Sequence, residues 1–539
     1  MEAAVLAAPA DVARAVAPGG VRQVAASGGL GRRSFLTGPG PGARPPLRAR
    51  LTGPAGLLMV ALSVAAMLAV SLLGPSAAVP ELGAGAPPWS LRLDPPQTPV
   101  IQLGWVALLA GGLGTCAALY ALRRGWLPVR GLFAVGTPLV VALLTLVPPA
   151  GSTDVLNYAV YGRIAALGHD PYVTPPAWLH GIGDPVGDLT PLAWRNTPSV
   201  YGPLATWAQF AASRLGGDSM AATVFAFKVI LALAFLLSAV MLDRLAGPER
   251  DRRVRAHLLW SLNPLMLWHV VLGGHMDGLG AFLLVAALFA LRRPGMGSGL
   301  VSGALLGAAA AVKAPFVLAG AGLAWAARHR AGPFLTLGMG AFTALVTLYA
   351  TQGPEALANV AGKVGDRSLA DPWQVLVRDL GPEAVELEGR LALGAALLAA
   401  LLLCWRLPQG PSGLPAVRPA LAWCLGWLLT SPVQHPWYDA MLFPLLALMP
   451  ASRLDGPLLV RGVVTGLIYL PGATALLRLQ PTPLTRWIAE VYRPWIAPLV
   501  SDAVILYVVV LALAGALGVR ALPGVRRAAV PEREPVSVR

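Results

Sequence analysis

The sequence predicts an all-α protein that crosses a membrane many times. Of its 539 residues, 56% are hydrophobic and only 12% are charged, whereas a soluble domain carries roughly 25% charged residues. The apolar residues collect in runs bounded by charges, glycine or proline, which is typical of membrane-spanning helices and their loops. These observations exclude a set of soluble domains, a disordered chain and a disulfide-linked secreted scaffold.

Fourteen apolar runs predict about 14 transmembrane helices. A helix needs about 20 apolar residues to cross the hydrocarbon, and shorter helices are tolerated where protein surrounds them. The longer runs are 55–74, 100–121, 131–150, 219–242, 333–351 and 498–518. The shorter runs are 257–272, 278–291, 298–312, 316–327, 391–405, 419–431, 439–451 and 456–471.

The basic residues predict the sidedness of these helices. With the N-terminus inside, the cytoplasmic segments hold 27 of the 41 Lys and Arg residues, as the positive-inside rule requires. We therefore expect an N-in, C-in protein of the cell (plasma) membrane. We also expect residues 1–54 to form a basic, disordered cytoplasmic tail, 55–518 the membrane domain with a long outer loop at 151–218, and 519–539 a second basic cytoplasmic tail. The basic excess faces anionic membrane lipids, so a nucleic-acid partner is not expected.

Motifs of soluble cofactor chemistry are missing from the sequence. It has no Walker loop, no dinucleotide fingerprint, no paired-His zinc motif and no nucleophile elbow. Cys116, Cys404 and Cys424 lie in apolar stretches without paired spacing, so they predict neither a metal site nor a disulfide. Glycines at 111, 112 and 114 are expected to allow close helix packing.

Polar residues collect in turns that the topology assigns to the outer side. Asp154 follows a span directly, and His275 and Asp277 lie in the turn between two short spans. Lys313 lies in the turn of the next hairpin, and a further turn spans 431–438. Ionisable groups at this depth are unfavourable unless they are partnered or functional. Because nucleotides are cytosolic, a donor for chemistry on this side would be carried by a lipid.

Each of these residues also has a structural interpretation. Asp154 is well suited to cap the helix that follows it. The two histidines at 275 and 435 could be satisfied by backbone carbonyls, and Lys313 could extend toward the membrane surface. The arrival of four separate turns at one level favours a functional site.

Six short motifs, in this order, resemble a known family. They are DVLNY (154–158), GHDPY (168–172), YGP (201–203), WSLNP (260–264), GHMD (274–277) and VKAP (312–315). Together they resemble bacterial polyprenol-phosphate-mannose-dependent α-1,6-mannosyltransferases, over roughly residues 100–450. The resemblance implies the GT-C class of glycosyltransferase fold, a helical bundle with many spans and a catalytic outer loop.

The resemblance also implies roles for the polar residues. The acceptor 6-hydroxyl needs a general base, for which Asp154 matches the family motif, and the leaving phosphate needs fixed cations or donors. A single displacement on a β-linked mannosyl phosphate would invert it to an α linkage. The expected residues are Asp154, His275 and Asp277 for catalysis, Lys313 and Arg163 for the donor phosphate, and Tyr158, Tyr172, Tyr201, His435 and Tyr438 for substrate binding. Asp277 could orient His275, hold the sugar, or share a divalent cation with Asp154, so the metal content stays open.

Two other functions stay open at this point. A transferase of the same class could use another polyprenyl-phosphate sugar, such as arabinose. A transporter or flippase of lipid-linked sugars would be expected to show inverted repeats, which we do not find in the sequence. The acceptor could be a glycolipid, a lipid-anchored mannan or a protein.

The topology makes a direct prediction about loop 151–218. A cysteine introduced near Asp184 should react with a membrane-impermeant thiol reagent on intact cells, because the loop is expected to be extracytoplasmic. A cysteine near Arg250, on the predicted inner side, serves as the control and should react only after permeabilisation. The reverse pattern of labelling would contradict the outward orientation.

Overall fold

The computed structural model describes residues 45–363, 366–377, 381–411, 413–472 and 479–518. These residues form helices, with a single isolated β-bridge between Ser452 and Gly518 in the described part of the chain. The first half contains α1 (Leu47–Leu73), α2 (Gln97–Arg123), α3 (Leu132–Leu146), α4 (Asp154–Ala166), α5 (Ala177–Gly181), α6 (Pro185–Asp188), α7 (Pro203–Gly216), α8 (Met220–Leu245), α9 (Arg250–Leu259), α10 (Pro264–Met266) and α11 (Asp277–Ala290).

The second half continues with eleven further α-helices. They are α12 (Met296–Val312), α13 (Gly320–Ala327), α14 (Ala331–Ala350), α15 (Pro354–Ala361), α16 (Gln374–Val377), α17 (Pro382–Arg406), α18 (Val417–Thr430), α19 (Asp439–Leu448), α20 (Asp455–Ile468), α21 (Pro483–Trp487) and α22 (Ala497–Leu513). Short 3₁₀ and π segments complete the helical structure at Leu192–Trp194, Leu267–Leu272, Ala314–Ala319, Pro436–Tyr438 and Ile488–Ile496.

The all-α prediction is confirmed, and the predicted apolar runs fall mainly in helical segments. Two of them are not single α-helices: the run 257–272 is interrupted between Leu259 and Pro264, and the run 316–327 passes from a 3₁₀ segment into α13. Among the described residues, six helical segments are long and apolar enough to cross a membrane, or seven if the pair bent by 119° between Leu272 and Asp277 is one span. The long segments are Leu47–Leu73, Gln97–Arg123, Met220–Leu245, Ala331–Ala350, Glu386–Arg406 and Pro483–Leu513. The protein is therefore a helical membrane protein, while the number of 14 spans and their orientation stay predictions.

The ends of the membrane domain differ slightly from the sequence-based boundaries. Helix α1 begins at Leu47, eight residues before the predicted start at 55, so the last residues assigned to the first tail are helical. The remainder of that tail before residue 45, and the second tail at 519–539, lie outside the described residues.

Helices α1 and α2 pack closely because glycine lines their contact. A Cβ atom on Gly114 would lie 2.6 Å from the carbonyl oxygen of Gly56, and one on Gly111 would lie 2.4 Å from Pro264. Such distances exclude any side chain, as at other close helix contacts in membranes. The predicted packing role of this glycine-rich segment is confirmed.

Lys228 fixes the end of α3 from within the protein. Its side chain is completely buried, and its Nζ donates hydrogen bonds to the carbonyl oxygens of Leu144 (2.8 Å) and Val147 (2.6 Å). The last carbonyls of a helix have no partner within the helix, and its C-terminal end favours a positive charge. Lys228 therefore holds the point from which the chain continues to Asp154.

A second buried cation, Arg255, joins several helical segments. Both terminal nitrogens of Arg255 contact the Asp455 carboxylate, at 2.6 and 2.8 Å, and Arg123 pairs with the same carboxylate. Arg255 also donates to the carbonyl oxygens of Met449 and Leu446. The sequence-based topology assigns Arg123, Arg255 and Asp455 to the cytoplasmic side, which stays a prediction.

Loss of the Asp455 charge should destabilise the protein strongly. Asp455→Asn leaves two guanidinium groups without a carboxylate, and removal of one partner from a buried ion pair destabilises by about 3–5 kcal/mol. We expect a marked fall in the melting temperature of the purified variant in detergent. Asp251→Asn, at an exposed position on α9, is the matched control and should melt like the wild type. Equal melting temperatures for both variants would show that the network is dispensable.

Candidate active site

A large cavity opens among the segments that the sequence assigns mostly to the outer side. Its volume is about 1420 Å³, which exceeds the roughly 300–1,000 Å³ of a typical small-molecule site. Its lining combines aliphatic and aromatic side chains with several charged groups. The lining residues come from 76–81, 151–156, 188–202, 312–318, 360–363, 366–367, 389–396, 427–438, 469–472 and position 479.

Asp154 enters this cavity as the first residue of α4. The N-cap position of α4 is Thr153, without a side-chain cap, and in the described part of the chain the Asp154 carboxylate accepts no backbone hydrogen bond. Its Oδ2 lies 3.7 Å from Nδ1 of His275, and its side chain keeps a fifth of its exposure. The carboxylate is therefore available to the cavity, unlike that of an Asp that caps a helix through its side chain.

An ion pair connects the two turns that were predicted to lie near Asp154. Asp277 begins α11 after a sharp bend in which Gly274 has a φ of +70°, and Lys313 follows the last residue of α12. Lys313 Nζ lies 3.0 and 2.9 Å from the two carboxylate oxygens of Asp277, and 4.1 Å from the ring centroid of Tyr438. Lys313 lines the cavity, whereas Asp277 is buried beside it.

Aromatic rings fix the histidines of the site. The Trp437 ring stacks on the ring of His275, with centroids 3.7 Å apart and planes at 14°, and on the ring of His435, with centroids 4.9 Å apart and planes at 2°. His275 Nδ1 also lies 3.5 Å from the Tyr158 hydroxyl. Burial and the nearby Lys313 charge lower the pKa of His435 to about 3, so its imidazole is neutral at ordinary pH.

Three of the tyrosines predicted to bind substrate differ in whether they reach the cavity. Tyr201 lines the cavity and packs edge-on against Tyr158, with ring centroids 5.1 Å apart. The Tyr172 hydroxyl donates to the Tyr201 carbonyl oxygen at 2.9 Å and shares a hydrogen bond of 2.7 Å with Thr206. Tyr158 and Tyr172 are buried and support Tyr201 from behind, outside the residues that line the cavity.

Arg163 is placed differently from the other predicted residues. Its guanidinium contacts the Asp184 carboxylate through Nε at 2.9 Å and Nη2 at 2.8 Å, and it is not among the lining residues. The pair attaches α4 to the start of α6, where Asp184 also caps the helix.

Sequence reasoning missed Arg461, which supports the turn at 431–438. Arg461 is buried, and its two terminal nitrogens contact Oδ1 of Asp439 at 2.6 Å and Oε1 of Gln434 at 2.7 Å. An arginine within a predicted span was the available signal, because such residues are rarely without a partner. Cations at the cavity surface were also missed, since nothing local distinguishes them from other loop residues.

The electrostatic surroundings of Asp154 change its titration. Burial raises the pKa of Asp154 to about 6, and the Asp277 carboxylate adds to this effect while the Lys313 ammonium opposes it. Among the described residues, no group of three or more His, Cys, Asp or Glu side chains is placed to hold a metal ion.

The raised pKa can be measured directly. Infrared difference spectra of the wild type against Asp154→Asn should show a carboxyl that ionises with a midpoint near pH 6, above its ordinary 3.8. Because the unfolded carboxyl ionises first, this group should lower the free energy of unfolding as the pH rises from about 4 to 6. A midpoint near 3.8 would show that the carboxyl is hydrated.

Comparison with known proteins gives a consistent result. The model of the family described as "Alpha-(1->6)-mannopyranosyltransferase, N-terminal domain" matches residues 55–329, just over half of the chain. An α-(1→6)-mannopyranosyltransferase of Mycobacterium tuberculosis is 34% identical over 150 residues, which cover 28% of this chain and 25% of that protein. The α-(1→6)-mannopyranosyltransferase A of Corynebacterium glutamicum is 26% identical over 356 residues, which cover 59% and 70%.

The match to the first of these relatives thus spans about a quarter of that relative's length. Among solved structures, the oligosaccharyltransferase of Archaeoglobus fulgidus aligns with a TM-score of 0.33 at 14% identity, over 68% of this chain and 53% of that one.

Proposed function

The chain belongs to the α-(1→6)-mannopyranosyltransferase family, and from this premise we propose that it transfers mannose from polyprenyl-phosphate mannose to a glycolipid or mannan acceptor. The reaction takes place at the outer face of the plasma membrane, on a GT-C scaffold of about 14 spans. The cavity belongs mainly to loops on the side that carries few basic residues, and this distribution supports the outward orientation.

One observation carries the proposal: the Asp154 carboxylate and the Lys313 ammonium both line the same cavity. A transferase of this type needs a base for the acceptor hydroxyl and a cation for the leaving phosphate within reach of one sugar. The volume of the cavity suits a lipid-linked sugar together with the end of an acceptor glycan.

The chemistry is a single displacement at the anomeric carbon of mannose. The 6-hydroxyl oxygen of the acceptor forms the new bond to this carbon, and the bond from the carbon to the phosphate oxygen breaks. The electron pair leaves with the polyprenyl phosphate, and the hydroxyl proton passes to Asp154 as the new bond forms. Attack from the opposite face converts a β-linked donor into an α-linked product.

The neighbouring residues have supporting roles in this mechanism. Lys313 stabilises the charge that grows on the departing phosphate, which is usually a large part of catalysis. Asp277 keeps Lys313 in place through the contact with both carboxylate oxygens. His275 positions the Asp154 carboxylate from 3.7 Å away. Tyr201 and His435 bind sugar hydroxyls. Among the described residues, Nδ1 of His435 is buried without a hydrogen-bond partner.

Substitution of the base should remove transfer without unfolding the protein. Asp154→Asn keeps the size of the side chain but cannot accept the proton, so mannosyl transfer should fall by at least about 10²-fold. Asp154→Glu should also transfer poorly, because one extra methylene displaces the carboxylate. The assay supplies labelled polyprenyl-phosphate mannose and a panel of α-mannosyl acceptors to equal amounts of purified protein.

Asp188→Asn is the matched control for this assay. Asp188 also lines the cavity, but its carboxylate pairs with the exposed His180 at 2.8 Å, so transfer should stay close to that of the wild type. Transfer by Asp154→Asn at the wild-type rate would remove Asp154 from the mechanism and leave Asp277 as the next candidate base.

A further inference from the structure

We propose that Arg195 binds the phosphate of the lipid-linked donor, a role that rests on the proposed function. Four cations in the described residues line the large cavity: Arg195, Lys313, Lys363 and Arg367. Of these four cations, only Lys313 belongs to one of the six sequence motifs, and no motif includes Arg195.

Three of these cations already have a carboxylate partner. Lys313 is paired with Asp277, and Lys363 with Asp366 at 2.9 Å. Arg367 contacts two carboxylates, those of Asp371 at 2.7 Å and Glu388 at 3.4 Å. Their charges are thus largely compensated before any substrate enters.

Arg195 differs from the other three. Within the described part of the chain it lies within 4.0 Å of no carboxylate, and its Nε is buried without a hydrogen-bond partner. The three other carboxylates in the described lining do not compensate it. Glu81 pairs with Arg92, Asp188 pairs with His180, and Asp154 lies beside His275. A partly buried guanidinium with an unsatisfied N–H group is unfavourable unless an anion binds to it.

The backbone that carries Arg195 is held in place by hydrogen bonds. The Arg195 carbonyl oxygen accepts a hydrogen bond of 2.7 Å from the Ala177 N–H, and its own N–H donates to Leu192. Two residues further on, the Thr197 carbonyl oxygen accepts a hydrogen bond of 2.8 Å from the Tyr161 hydroxyl. Tyr161 belongs to α4, the helix that begins with Asp154, so Arg195 and the proposed base share one framework.

A phosphate is the anion that this arrangement fits best. The guanidinium presents several donors in a planar fork that matches phosphate oxygens in a bidentate contact. In the proposed reaction the donor phosphate enters as a diester and leaves as a monoester with more negative charge. An arginine without a competing carboxylate holds the donor in the ground state and favours the departing group further, in the same cavity that Lys313 lines.

Binding of polyprenyl phosphate and of the uncharged polyprenol to purified protein in neutral detergent tests this proposal. The wild type should prefer the phosphate. Arg195→Gln should bind polyprenyl phosphate about 10- to 100-fold more weakly, as expected for the loss of charge-assisted hydrogen bonds, and should bind polyprenol unchanged. Arg214→Gln, an equal change of charge at an exposed position of α7 outside the lining, is the matched control and should keep the preference.

Three outcomes would overturn the role of Arg195. The first is that Arg195→Gln keeps the full preference for polyprenyl phosphate over polyprenol. The second is that it loses affinity for polyprenol as much as for polyprenyl phosphate, which would indicate a structural defect. Inorganic phosphate could also displace the lipid at equal concentration, which would indicate a site for free phosphate. The transfer assay separates this proposal from the proposed function: Arg195-dependent phosphate binding by a wild type that transfers no mannose would preserve the site and refute mannosyl transfer.

Discussion

The ion pair between Lys313 and Asp277 determines how the polar residues meet at the cavity. Asp277 is the first residue of α11, and Lys313 directly follows α12. Because the Asp277 carboxylate is buried, separating the two charges would leave an uncompensated buried ion. Loss of one partner in such a pair typically destabilises by about 3–5 kcal/mol. The turn that carries His275 is fixed as a consequence, and with it the contact to Asp154.

The same requirement for a partner explains the other buried charges. Arg461 is satisfied by Asp439 and Gln434, and Lys228 by two carbonyl oxygens at the end of α3. In the membrane interior no water replaces such partners. Among the described residues, the buried cations Lys228, Arg255 and Arg461 each join segments that are separated in the sequence. The resulting framework holds the charged groups of the cavity in place before substrate binds, which is the condition for electrostatic catalysis without reorganisation.

The sequence allowed much of the fold to be predicted, because apolar runs and breaks are local signals. It also indicated that the turns with Asp154, Asp277 and Lys313 would meet, since each turn places an ionisable group at the same level. Neither the pairing of Arg163 with Asp184 nor the stacking of two histidine rings on Trp437 could be predicted. These contacts depend on how the loops pack against one another, and the spacing of residues in the sequence does not indicate that packing. Arg195 escaped notice for the same reason, because its lack of a partner is a property of the folded protein.

The most direct measurement is a cryo-EM structure of the protein with a non-transferable polyprenyl phosphonate analogue of the mannose donor. Our account predicts the phosphonate in the large cavity, within about 3 Å of the Arg195 or Lys313 nitrogens, with the anomeric carbon on the side of Asp154. The analogue would contradict the account if it occupied the second cavity of about 720 Å³, which residues between Pro128 and His257 line at the basic end of the bundle.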